Sequence, residues 1–119
     1  LGVSYLSNVG DTRYSPVELL YNCLEEAGAI INLHDPYVSF WTEKNIAIEN
    51  NLYNLLSENY DIIVISTGHS FYSGNEILMN YIMKNDNIFI FDTIGLLSEK
   101  EIKKISSKHQ LKILGRGVI

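Results

Sequence analysis

The 119-residue chain has one cysteine and two prolines, and only 9 Lys and Arg stand against 14 Asp and Glu. With a single thiol, Cys23, no disulfide can form within the chain, so a reducing compartment, the cytoplasm, is the expectation. A net charge of -5 argues against nucleic acid or an anionic membrane as the main partner, because both reward clustered cations. No apolar run approaches the ~20 residues that span a bilayer. Neither Gly-x-Gly-x-x-Gly nor Gly-x4-Gly-Lys-Ser/Thr occurs, so the chain carries no dinucleotide or P-loop cradle of its own. Repeats, low-complexity tracts and internal linkers are missing too, and the length suits one domain, residues 1–119. The opening on an apolar strand without Met reads as a domain cut from a longer protein.

What remains is a regular alternation of strand and helix signals. Residues 1–6, 29–33, 61–66, 87–91 and 110–114 read as five strands. Between them, 16–27 places Val17, Leu20, Leu24 and Ala27 on one helical face, with Gly28 as a natural stop. Ile48, Leu52, Leu55 and Leu56 mark a second helix, and Ile77, Leu78, Tyr81 and Ile82 a third. Capping boxes are expected at Ser15–Glu18, Ser73–Glu76 and Ser98–Glu101. Asp61-Ile-Ile-Val-Ile-Ser66 reads as a strand buried on both faces. Residues 38–49 give no clear pattern beyond Phe40 and Trp41 covering a core edge, and Cys23 beside Leu24 reads as a buried structural thiol. Five strands and four helical patterns imply right-handed crossovers and a three-layer α/β/α domain around a five-stranded parallel sheet.

Ligands of open parallel sheets sit beyond the carboxyl ends of the strands. Polar residues follow each strand here: Asn8, Asp11 and Arg13; His34 and Asp35; Thr67, Gly68, His69 and Ser70; Asp92 and Thr93; Gly115 and Arg116. Asp11 and Arg13 fit a local ion pair as well as a ligand contact. His34 before Asp35-Pro36 reads as a turn residue, and His69 as a functional histidine or a hydrogen-bonded loop residue. His34, Asp35, His69 and Asp92 have the chemistry to meet at a metal and support a hydrolase, but no close ligand spacing supports this, and no metal is expected.

Four segments together resemble one family. Asp11-Thr-Arg-Tyr-Ser-Pro16 resembles the Asp-Thr-Arg-x-Ser-Pro signature of the UDP-glucose/GDP-mannose (nucleotide-sugar 6-) dehydrogenases, in their C-terminal UDP-binding domain. Residues 27–36 resemble the family's Gly-Ala-x-Val-x-x-x-Asp-Pro segment, 61–69 its third strand and Thr-x-His, and 90–95 its Asp-x-Arg segment. The resemblance implies a Rossmann-like domain of strand order 3-2-1-4-5. It further implies an NAD-dependent oxidation of a UDP-sugar C6 alcohol to the uronate, in a homodimer acting in polysaccharide biosynthesis. Its catalytic cysteine is not Cys23, and NAD is bound mainly by an N-terminal domain outside this chain. By position, Arg13 is similar to an arginine that contacts NAD. Tyr5, Leu6 and Ile94 fall where an aromatic residue, a lysine and an arginine touch the sugar nucleotide. With two of those cations replaced by apolar residues, a non-catalytic relative kept for binding or assembly is the alternative.

Overall fold

In the computed structural model, which describes residues 1–115, 117 and 118, the elements in chain order are these. Helix α1 (Val17–Glu26) precedes a short hairpin, β1 (Phe40–Trp41) and β2 (Ile46–Ala47), and helix α2 (Leu52–Leu55). Then come β3 (Ile62–Ile65), α3 (Glu76–Lys84), β4 (Phe89–Asp92), α4 (Glu99–Ser106), β5 (Gln110–Ile113) and β6 (Gly117–Val118). The architecture is α/β, with β3, β4 and β5 parallel and in register, Ile63 opposite Ile90 and Ile90 opposite Leu111. A one-turn reversal at Gly115 (φ +86°) lets β6 join β5 antiparallel. Arg116, expected beyond the fifth strand, lies outside the described residues.

The main core lies on one face of this sheet. Ile63, Ile65, Ile90, Leu111 and Ile113 share that face by the two-residue period and pack against Leu52, Leu78, Ile82, Ile102 and Ile105 of α2, α3 and α4. The opposite face carries exposed Ile62, half-buried Val64, Phe89 and Phe91, and exposed Gln110 and Lys112. A separate cluster of Val3, Val17, Val38, Trp41 and Ile48 ties α1 to the hairpin. The unreadable segment 38–49 is therefore a hairpin that buries Trp41 completely while Phe40 stays half exposed.

Several expectations need correcting. The strand at 61–66 pairs directly with β4, which is incompatible with the order 3-2-1-4-5, where it would be an edge remote from the fourth strand. It is buried on one face only. The first segment forms no extended strand, because Gly2 adopts φ +96° and the next two amides, Val3 and Ser4, turn onto the Asp35 carboxylate. Residues 29–33 are also irregular; His34 makes a single parallel bridge to Glu49. Ile48 precedes α2, which is one turn long and capped by Asn51. Of the apolar stripe of α1 only Val17 is buried, and Cys23, one position off that stripe, is exposed.

Two capping boxes are absent as expected pairs. The Ser15 hydroxyl accepts from Val17 N–H (3.2 Å), but it donates to the Val3 carbonyl (2.7 Å) and the helix starts without the reciprocal Glu18 bond. Asn75, rather than Ser73, caps α3, its side chain accepting from Leu78 N–H at 3.1 Å. Ser98 and Glu101 do form a box: Ser98 N–H donates to Glu101 (3.0 Å) and Glu101 N–H to the Ser98 hydroxyl (3.2 Å).

Candidate functional site at the carboxyl ends of the strands

Residues 4–11 form a compact loop over the carboxyl end of β3, held by one internal bond and by residues 35, 67, 69 and 70. Asp35, fully buried, is the anchor. Its Oδ2 accepts from Val3 N–H (2.8 Å), Ser4 N–H (3.1 Å), the Ser4 hydroxyl (3.0 Å) and His69 Nε2 (2.9 Å), and its Oδ1 from Tyr37 N–H (2.8 Å). Burial alone would raise the Asp35 pKa. The donors from Val3, Tyr37, His69 and Ser4 outweigh it and hold the carboxyl below its ordinary value.

His69 passes this anchoring on. With Nε2–H donating to Asp35, Nδ1 accepts from Asn8 N–H at 2.8 Å, which fixes the neutral tautomer. Asn8 sits in the left-handed region (φ +63°), and its side-chain oxygen accepts from Ser70 N–H (2.8 Å) and the Ser70 hydroxyl (2.9 Å). Tyr5 N–H closes the loop onto the Asp11 carbonyl at 2.7 Å, and Thr67 Oγ1 donates to the Ser4 carbonyl at 2.9 Å. Of the two roles open to His69, the hydrogen-bonded loop role is the one its contacts fill.

His34, expected as a turn residue, is fully buried and sits in the bridge to Glu49. Its Nε2–H donates to the Asn50 carbonyl (3.0 Å) and its Nδ1 accepts from the Tyr72 hydroxyl (2.7 Å). Burial pushes the His34 pKa down, so the ring stays neutral, and burial pushes that of Tyr72 up. Asp92, at the end of β4, accepts from Ile94 N–H (3.1 Å), Gly95 N–H (2.9 Å) and Leu97 N–H (2.9 Å) and shapes the next loop. His34, Asp35, His69 and Asp92 are thus occupied by structural bonds. No group of three or more His, Cys, Asp or Glu among the described residues is placed to hold a metal ion.

Among the residues exposed on this scaffold are Tyr5, Leu6 and Ile94, at 53%, 55% and 44% exposure, with Val9, Tyr37 and Phe71 also exposed. Gly68 joins the two loops: a Cβ there would stand 3.1 Å from Ser7 Oγ and 3.4 Å from Ile94 Cγ2. Ile94 therefore lies beside the loop that carries Tyr5 and Leu6. Arg13 is turned away into a two-pronged pair with Asp11 (Nε–Oδ1 3.0 Å, Nη2–Oδ2 2.9 Å). Hydrogen bonds from Arg13 lower the Asp11 pKa to about 2. Arg13 is the only Lys or Arg before Lys44, so it is the one cation of this loop. Tyr5, Leu6, Ile94 and Arg13 thus present an aromatic ring, two aliphatic side chains and one paired guanidinium around these loops.

Sequence reasoning missed Ser7, and it named Gly68 and Asn8 without the close approach of the one or the bond-making role of the other. The signal available was Asn8 itself, since asparagine is the non-glycine residue that most readily adopts positive φ and bonds locally.

Comparison with known proteins places this geometry. The sequence model of the UDP-glucose/GDP-mannose dehydrogenase family, UDP binding domain, matches residues 1–99. The chain belongs to this family. UDP-N-acetyl-D-mannosamine dehydrogenase from Methanocaldococcus jannaschii is 31% identical over 118 residues, 98% of this chain and 26% of that protein. The enzyme of that name from Methanococcus vannielii is 29% identical over the same shares. In crystal structures, NDP-N-acetyl-D-galactosaminuronic acid dehydrogenase from Methanosarcina mazei Go1 superposes with a TM-score of 0.80 at 28% identity. The match covers 98% of this chain and 24% of that one. The chain thus spans about a quarter of the length of these nucleotide-sugar dehydrogenases.

Proposed function

We propose that the chain is the sugar-nucleotide-binding domain of a longer NAD-dependent dehydrogenase that oxidises the C6 alcohol of a UDP-sugar to the uronate. The observation that carries this reading is the loop architecture of a UDP-binding family member, built at the carboxyl ends of the strands, with Tyr5, Leu6 and Ile94 presented together. UDP-N-acetylated hexoses are the favoured substrate class, because the relatives above are named for such sugars or their uronates. The homodimer, the cytoplasmic location and the role in polysaccharide synthesis belong to this proposal.

NAD, which would accept the hydride, finds a partial fit in these residues. No dinucleotide cradle is present. Arg13, three-quarters exposed, is the residue here suited to reach it across a domain boundary, using the edge of its guanidinium turned from Asp11. The chain alone is therefore expected to produce no NADH with any nucleotide sugar.

Leu6 and Ile94 favour a second reading, a non-catalytic relative kept for binding or assembly. Charge-assisted hydrogen bonds to a diphosphate are worth roughly 1.5–3 kcal/mol each, so two missing cations weaken binding on the order of a hundredfold or more. Calorimetry with UDP at two salt concentrations tests the site. The unmodified chain should bind weakly or undetectably. Leu6→Lys with Ile94→Arg should gain about tenfold or more, and added salt should shrink the gain. Tight binding by the unmodified chain would show that the contacts are misplaced, and an unchanged double variant that the pocket is lost. The two readings separate on the rest of the protein: a Gly-x-Gly-x-x-Gly after a strand and a cysteine in a glycine-rich segment mark the enzyme.

A further inference from the structure

The three histidines of the chain, His34, His69 and His109, are all buried, and each uses both ring nitrogens. They differ in what a second ring proton would meet. At His34 the Tyr72 hydroxyl beside Nδ1 also lies 3.1 Å from the His34 carbonyl, so it can donate there and accept from a protonated ring. Burial, however, pushes the His34 pKa down. His109 donates to the Ile82 carbonyl and accepts from Ile88 N–H (3.2 Å), and neither partner carries a charge to offset a proton. Of the three, only His69 donates to a carboxylate, Asp35 Oδ2 at 2.9 Å, and its Nδ1 accepts from a backbone amide of the loop, Asn8 N–H at 2.8 Å.

The two sides of the His69 ring therefore respond oppositely to a proton. On one side the bond to Asp35 becomes a full ion pair. Burial, which alone would raise the Asp35 pKa, is outweighed by the amide donors of Val3 and Tyr37, so the carboxylate keeps its charge where imidazoles titrate. On the other side, Nδ1–H and Asn8 N–H become two donors aimed at each other, and an amide has no acceptor to offer in their place. What can turn is the peptide. Asn8 holds φ +63°, and rotating the Ser7–Asn8 peptide by about half a turn returns it to negative φ and brings the Ser7 carbonyl toward the ring. The Asn8 side chain, held by Ser70 N–H (2.8 Å) and the Ser70 hydroxyl (2.9 Å), pins the residue while the peptide before it turns. The other titratable groups against the ring are the phenols of Tyr37 and Tyr72, with ring centroids 4.9 and 5.9 Å away. Farther off, the Leu1 amino group, which burial lowers to about 6, is coupled to Asp35.

We propose that His69 is a proton-operated latch on the loop that carries Tyr5 and Leu6. Neutral, the ring holds Asn8 N–H and keeps residues 4–11 in the conformation described above. Protonated, it stays on Asp35 and lets Asn8 go, and the Ser7–Asn8 peptide turns over. The consequence for a ligand rests on the reading of this loop as the sugar-nucleotide site. A ligand that needs the latched loop binds more tightly as pH rises through the His69 midpoint, and by linkage its binding displaces a proton from the ring.

The test is NMR spectroscopy of the isotopically labelled 119-residue chain, without nucleotide, from about pH 8 to about pH 5. Ring-nitrogen shifts give the His69 midpoint, and amide shifts and exchange rates, corrected for the intrinsic effect of pH, follow the loop. Below the midpoint the Asn8 amide should exchange about tenfold or more faster, its shift tracking the His69 titration, while the Val3 and Ser4 amides on Asp35 stay protected. His69→Gln has an amide that can donate to Asp35 and accept from Asn8 but takes no proton, so it should hold Asn8 across the whole range. An Asn8 amide that ignores the His69 titration overturns the latch. So does release of Val3 and Ser4 together with Asn8, or unfolding of the chain before His69 titrates. An Asn8 response that persists in His69→Gln belongs to another group, such as the Leu1 amine, and overturns it as well; if that variant does not fold, the parent titration decides alone. Nucleotide affinity is not part of the readout, so a failed latch leaves the UDP-binding reading standing, and a failed UDP titration leaves the latch standing.

Discussion

Asp35→Asn is the substitution that most directly tests how the loop site is held. The side chain keeps its shape and loses its charge. Four donors converge on Oδ2, so the amide oxygen must take that position, and its NH₂ group then meets Tyr37 N–H at the position of Oδ1. The Tyr37 bond is lost; it is part-buried, so the cost lies at the lower end of the ~1–3 kcal/mol of an unpaired buried N–H. Each remaining bond falls from the charge-assisted range toward the ~0.5–1.5 kcal/mol of a neutral one. Burying an amide in place of a carboxylate returns part of this, because the charge no longer has to be desolvated. The expected net loss is about 3 kcal/mol, a large share of the ~5–15 kcal/mol that holds a domain of this size.

Urea denaturation followed by circular dichroism measures it, with the slope unchanged and the midpoint lowered. The acid limb gives an independent check. The folded Asp35 pKa lies below its unfolded value, so the unfolded state binds more protons as acid is added. Its contribution is complete above the unfolded pKa of about 4 and is lost as pH falls through the lower folded value. Asp35→Asn should therefore be destabilised at pH 7 and less sensitive than the parent to acid. A loss below about 1 kcal/mol with an unaltered acid limb would refute the account of Asp35 as the anchor of residues 3–8.

Two further substitutions test local geometry. Ser98→Ala removes the hydroxyl that caps α4 and should cost about 1 kcal/mol by the same denaturation assay, with UDP binding unchanged. Gly2→Ala should cost more than 2 kcal/mol, roughly, because its Cβ would lie 2.5 Å from that of Thr67 on a residue at φ +96°. Gly28→Ala, at φ +88° with nothing within 4 Å, is its control for backbone strain without a clash, and should lose only about 1 kcal/mol.

What the sequence made legible was what depends on local order. The β-branched run at 61–66, the Ser98–Glu101 cap and the alternation of strands and helices from β3 onward all follow from neighbours a few residues apart. The polar loops beyond the strands were also in view, and the signature at 11–16 marked the family that the chain belongs to. The amino-terminal third was harder, for a physical reason. Its residues satisfy their backbone through distant partners: Val3 and Ser4 through Asp35, Asn8 through His69, Leu1 through Val64. None of these bonds leaves a periodic trace. The stripe on α1 illustrates the same limit. Val17, Leu20 and Leu24 announce a buried face, and the periodicity is real, but burial needs something opposite. Leu20 and Leu24 instead look across an open groove at Ile62 and Val64. An amphipathic pattern is thus a statement about what a helix is built to meet.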